Sequence, residues 1–189
     1  MTDLASLPVP DEGPIHDKIR QIYERSFPLE EIPMRDLLRA ARKPEVSFVA
    51  WTDASLPAGE VGVDRVVALT FSLAFPDLFY LGLLAVDGRT RSAGYGSRIL
   101  THFGERYPDV PQLLEIEPVT REALNYQQRV RRLAFYERNG FTVTNMLTHE
   151  ADQTYRVLAR QGLVSPERLE EALNSATDDP AYFSRVTIG

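Results

Sequence analysis

Arg91 to Gly96 reads RSAGYG, between the apolar run FYLGLLAV (79–86) and SRILTHFGERY (97–107). A strand that hands over to a helix through glycines aims several backbone N–H groups at one spot, and the helix dipole adds about half a positive charge there. Such a spot holds phosphate. Gly94 and Gly96 are expected to open the backbone to unusual angles and to close approach by a ligand, while Arg89, Arg91 and Arg98 add positive charge. The motif lacks the Gly-Lys-Ser/Thr ending of a P-loop, and Ile99 stands where a dinucleotide fingerprint needs its third glycine. Nucleoside triphosphatases and simple dehydrogenases are therefore disfavoured. Further on, QLLEIEP (112–118) alternates, so Glu115 and Glu117 are expected on one strand face, about 7 Å apart. Either carboxylate could take a proton directly or through water.

Residues 1–14 carry Pro8, Pro10 and Pro14 and predict an extended lead-in with at most a short edge strand. Ile15, Ile19, Ile22 and Tyr23, and then Leu37, Leu38 and Ala41, recur at helical spacing, with a bend at FPLEEIP between them. VSFVAW (46–51), RVVALTFSLAF (65–75) and LFYLGLLAV (78–86) are rich in β-branched and aromatic residues and predict strands. The intervening TDASLPAGEVGVD predicts a loop. Ile99, Phe103 and Tyr107 line one helix face after the glycines. Leu124, Val130, Leu133 and Ala134 predict a further helix, stopped at Asn139-Gly140. FTVTNMLT and QTYRVLAR predict strands, Ser165 before Pro166 a helix start, and 176–189 a polar tail. The order predicts an α+β fold with a mixed, mostly antiparallel sheet flanked by helices, one domain over 15–175.

At 189 residues the chain can bury a full core without staples. It has no cysteine, which excludes disulfides, thiolate metal sites and a cysteine-bound covalent intermediate. His16, His102 and His149 are scattered without ligand spacing, so no metal is expected. A net charge of −6 argues against nucleic acid as partner. With no basic-then-apolar amino terminus and no run of about 18 apolar residues, a cytoplasmic protein without membrane contact is expected.

Arg-x-x-Gly-x-Gly at 91–96, after LLAV and followed by a strand and then FYERNGF (135–141), resembles the GNAT superfamily of acyl-CoA N-acyltransferases. The resemblance is strongest over 78–141 and implies acetyl-CoA as cosubstrate, within a GNAT-like domain whose strands splay around the acyl-CoA site. It implies that the diphosphate sits on the backbone of Arg91, Ser92, Ala93, Gly94, Tyr95, Gly96 and Ser97 and that the pantetheine arm pairs with Leu84, Ala85 and Val86. Tyr136 matches the family's general acid. Arg129 stands where many members have a cofactor-binding asparagine, and an arginine there could reach a cofactor phosphate. Ala68 replaces a glycine often seen in the third strand.

The implied reaction is direct attack of a primary amine on the thioester in a ternary complex. An amine with pKa about 10.4 is neutral in roughly one molecule in 10³ at pH 7, so Glu115 or Glu117 would accept its proton. The acceptor would enter over FPLEEIPMR, with Glu30 and Glu31, and LTHEADQ, with Glu150 and Asp152, which suits a small cationic amine. A non-catalytic acyl-CoA-binding module and acetylation of a protein or peptide amine remain open alternatives. So does a homodimer, common in the family.

Overall fold

The computed structural model describes residues 4–27, 32–90, 93–150 and 152–189, the side chains of 60 and 61 excepted. Over these the strands are β1 Leu4–Pro8, β2 Val46–Asp53, β3 Val66–Phe75, β4 Leu78–Val86, β5 Gln112–Ile116, β6 Thr142–Glu150, β7 Gln153–Arg160 and β8 Ser184–Ile188. The α-helices are α1 Pro14–Ser26, α2 Met34–Ala40, α3 Tyr95–Arg106, α4 Tyr126–Arg138 and α5 Pro166–Ser175. The strands join in the order β1-β2-β3-β4-β5-β7-β6-β8. β4 and β5 run parallel, Phe79 to Leu81 facing Gln112 to Leu114. The β1–β2, β5–β7, β6–β7 and β6–β8 pairs are antiparallel. The sheet is therefore mixed and mostly antiparallel, as the pattern of the sequence requires.

The chain divides into two compact units, Met1–Ser72 with Gly82–His102, and Leu73–Leu81 with Phe103–Gly189. In the first, Pro14 sits in the opening turn of α1, where its missing N–H costs nothing. The α1 stripe Ile19, Ile22 and Tyr23 then packs with Leu37, Phe48, Val66, Leu69 and Ala85. Trp51 is buried and donates its indole N–H to Thr70 Oγ1 at 2.9 Å, so the polar tip of this large side chain is satisfied. In the second unit Leu113, Leu114, Leu158 and Leu169 are fully buried. Phe79 stacks on Tyr107 and packs tilted against Phe103, both at 4.7 Å between ring centres. Ser165 caps α5 by accepting from Arg168 N, as its place before Pro166 foretold.

Three expectations need correction. Leu124 lies outside α4 and is fully exposed, because turn bonds from Ala123 N to Thr120 O and Tyr126 N to Ala123 O delay the helix to Tyr126. The expected loop before β3 holds a 3-10 helix, Glu60–Arg65. Residues 176–189 are no mere tail, since β8 lies beside β6 from Met146 to Glu150. Its attachment is nonlocal: Ser184 exchanges two hydrogen bonds with Asn174, and Val186 N donates to Glu170. Alternation over so short a segment carries no sign of those partners.

Candidate functional site

In the first unit, β4 runs into a short 3-10 turn at Gly88–Thr90, and α3 starts at Tyr95. Gly94 has φ +76°, a left-handed angle that explains a glycine there. Gly96 is helical, so its expected conformational role falls away. Arg98 N donates to Gly94 O at 3.0 Å. In any α-helix the N–H groups of the first turn, here those of Tyr95, Gly96 and Ser97, need acceptors from outside the helix. Ala93 and Gly94 are exposed, while Leu84 and Val86 are half-buried and Ala85 is buried. Arg91 and Ser92, expected to bind the diphosphate, lie outside the described residues, as do Glu30 and Glu31.

The side chains around this turn are held by two buried carboxylates that the sequence did not single out. Asp53, at the end of β2, accepts from Ser55 Oγ at 2.5 Å and Ser55 N at 2.9 Å on one oxygen. Its other oxygen accepts from Tyr95 OH at 2.9 Å and Arg98 Nη1 at 3.1 Å. The Ser55 hydroxyl, with Ser55 N–H, Tyr95 and Arg98, outweighs burial and holds the Asp53 carboxyl down at about 2. The Tyr95 hydroxyl is therefore engaged by Asp53, and Arg98 is partly committed. Asp87 follows β4 and pairs with the buried Lys18 Nζ of α1 at 2.5 Å and with Arg89 Nε at 3.0 Å. Burial alone would raise its pKa; Lys18 and Arg89 reverse that and hold it below the usual carboxylate range. Arg89 also reaches Asp64 at 3.3 Å. A cleft of about 220 Å³ lies beside Asp87, lined by Ile22, Arg25, Ser26, Val86 and Gly88.

In the second unit the two expected carboxylates part company. Glu115 lies within β5, half-buried, and accepts from Thr148 Oγ1 at 2.5 Å and from the Tyr80 hydroxyl. Burial first, then the Glu115 and Glu150 charges, push the Tyr80 phenol well above its ordinary value. Burial likewise raises Glu150, against the bond it accepts from Ser184 Oγ. Glu117 lies just past the strand and accepts from Arg129 at 2.7 Å, Arg132 at 3.2 Å and Asn125 at 3.3 Å. Arg129 also donates to Asn125 Oδ1 and Pro118 O, and these bonds brace the connection from β5 to α4. Asp152 is exposed.

Tyr136 is buried on α4 between Phe135 and Phe141, with ring centres 5.1 and 5.8 Å away. Burial pushes its phenol up to about 12, with Arg132 pulling weakly the other way. The three histidines occupy separate places: His16 beside Asp17, His102 against Trp51, and His149 between Thr154 and Thr187. Among the described residues no helix is long and apolar enough to cross a membrane.

No family model and no curated protein matches the sequence. Solved structures do. A GNAT-family protein from Bacteroides thetaiotaomicron is 22% identical over 88% of this chain and 92% of its own, with a TM-score of 0.63. An aminoglycoside 6'-N-acetyltransferase complexed with coenzyme A is 15% identical over 86% and 98%, with a TM-score of 0.58. The ribosomal-protein-S18-alanine N-acetyltransferase from Escherichia coli is 16% identical over 87% and 97%, with a TM-score of 0.57. The chain has the GNAT fold.

Proposed function

We propose that the protein is an acetyl-CoA-dependent N-acetyltransferase that moves an acetyl group to a primary amine of a small cationic molecule. The observation that carries this reading is the opening of α3 directly after a left-handed Gly94, since the first-turn amides of a helix are available to an anion at its N-terminus. A diphosphate suits such a spot, and a solved structure of the same fold contains coenzyme A. The residues of Ala93–Ser97 would hold the diphosphate, and Leu84–Val86 would pair with the pantetheine arm. The coenzyme supplies an activated acetyl group as a thioester.

The amine nitrogen attacks the carbonyl carbon, the C–S bond breaks, and the amine loses a proton. Glu115 suits the role of base better than Glu117. Hydroxyls of Thr148 and Tyr80 hold Glu115, and a hydroxyl can turn to accept from a protonated carboxyl. Guanidinium groups hold Glu117, and they only donate. Tyr136 keeps its proton throughout the neutral range because burial sets its pKa at about 12. The departing thiol has a pKa near 8.5, so full proton transfer to the thiolate is uphill. Tyr136 then acts as a hydrogen-bond donor to sulfur while charge develops there. With no cysteine in the chain, direct transfer needs no relay through an enzyme thioester.

Glu115 and Glu150 place two carboxylates around Tyr80 in the second unit, which supports a cationic acceptor. A peptide amine is the second reading, favoured by the fold's likeness to the ribosomal-protein alanine acetyltransferase. The test follows thiol release from acetyl-CoA against polyamines, aminoglycosides, amino acids and peptides. Turnover confined to the polyamines or aminoglycosides upholds the proposal, and turnover confined to peptides replaces it with the second reading. Binding of acetyl-CoA without turnover on any amine would make the protein a binding module. No heat on titration with acetyl-CoA would overturn the reading.

A further inference from the structure

We propose that Asp53 and Asp87 are positioning residues that preset the aim of the amides at the start of α3; the proposal rests on the coenzyme reading above. Asp87 fixes the backbone that leaves β4, and Asp53 holds the first turn of α3. At its entrance, Asp87 N donates to Val67 O at 2.8 Å, which ties the residue to β3. Asp87 O accepts from Thr90 N at 3.0 Å and Thr90 Oγ1 at 3.2 Å, and its carboxylate accepts from Arg89 N at 3.1 Å. Lys18 of α1 completes the carboxylate's shell. At the exit, one oxygen of Asp53 takes both Tyr95 OH and Arg98 Nη1, which come from the first turn of α3. Between the two anchors lie the exposed Ala93 and Gly94.

Two anions beside an anion site repel the ligand unless something else repays them. Their charges are matched by Lys18 and Arg89 at one end and by Arg98 at the other. What they contribute is geometry. Amides bind a diphosphate well only when their direction is fixed before the ligand arrives, since otherwise the ligand bears the cost of ordering them. Asp53 and Asp87 are 3% and 2% exposed, so neither is available to touch the ligand itself, and each acts through the backbone it holds.

The experiment compares acetyl-CoA with acetyl-pantetheine, which carries the same thioester without the diphosphate. Both are assayed at the same amine with the wild-type protein, Asp53→Asn and Asp87→Asn, and folding is checked by circular dichroism. Misaimed amides cost about tenfold or more in kcat/KM for acetyl-CoA, expressed in KM, the scale of one charge-assisted hydrogen bond, with acetyl-pantetheine unchanged. General damage to the fold would lower both substrates together, and that result, or no change for either, overturns the proposal. Since Asp87→Asn leaves Lys18 buried beside a neutral partner and can unfold the chain, Asp53→Asn alone is sufficient to decide. Wild-type protein that binds no acetyl-CoA overturns the coenzyme reading and this proposal with it, an outcome visible before any variant is made.

Discussion

Replacing Asp53 by asparagine removes one buried charge while keeping the side chain's shape, and its effect on stability should depend on pH in a defined way. The carboxyl stands at about 2 in the folded protein against 3.8 as an ordinary aspartate. At about 1.4 kcal/mol for each tenfold difference in proton affinity, the folded state gains about 2 kcal/mol from the ionised form. Because the folded value is the depressed one, this stabilisation is fully present above about pH 4 and is lost as the pH falls from there through about 2. A protonated aspartate and an asparagine both place a donor where Ser55, Tyr95 or Arg98 also donates, so the two proteins should converge in acid. Urea unfolding followed by the fluorescence of Trp51, the chain's one tryptophan, measures both across pH 2.5 to 7. At pH 7 the variant should be about 2 kcal/mol less stable, and the gap should shrink below pH 4. A gap under about 0.5 kcal/mol at pH 7, or one that stays constant from pH 7 down to 2.5, would refute the electrostatic account.

Tyr136→Phe should lower kcat by about 10²-fold with little change in the KM for acetyl-CoA, and activity kept within about threefold would remove the donor role. Lys18→Met should cost about 3 kcal/mol or more by leaving Asp87 short of a buried partner, read from the urea midpoint. Gly94→Ala places a side chain at φ +76° with none of the described residues beyond its chain neighbours within 4 Å of the new Cβ, so the cost is conformational, about 1 kcal/mol, seen as a small fall in melting temperature. Ser165→Ala should lose the cap to Arg168 N and about 1 kcal/mol of stability, while Ser165→Asp should keep most of it.

The sequence made the elements legible wherever a local rule governs them. The helical stripe of α1, the left-handed stop at Gly140 and the Ser165 cap each depend on residues within a turn or two. The resemblance likewise pointed to Gly94 and Tyr136 because both belong to contiguous motifs. What could not be read is held by distant partners. Asp53 meets Tyr95 across 42 positions and Glu115 meets Thr148 across 33, and nothing in the composition near either residue marks the encounter. Glu117 shows the limit of periodicity. Alternation says nothing of its partners: β5 ends at Ile116, and Arg129 and Arg132, from a helix further along the chain, pair with the residue beyond.

Helix α1 carries Lys18, which grips Asp87, and one to two turns later Ile22, Arg25 and Ser26, which line the neighbouring cleft. One rigid rod thus serves two places in the same unit. Any molecule that nudged the rod while seated in the cleft would loosen or tighten the grip on the turn after β4, and thermodynamic reciprocity obliges a molecule at that turn to return the favour in equal measure. Order of arrival would then leave the product of the two affinities untouched, and the rod alone would set the sign of their cooperation.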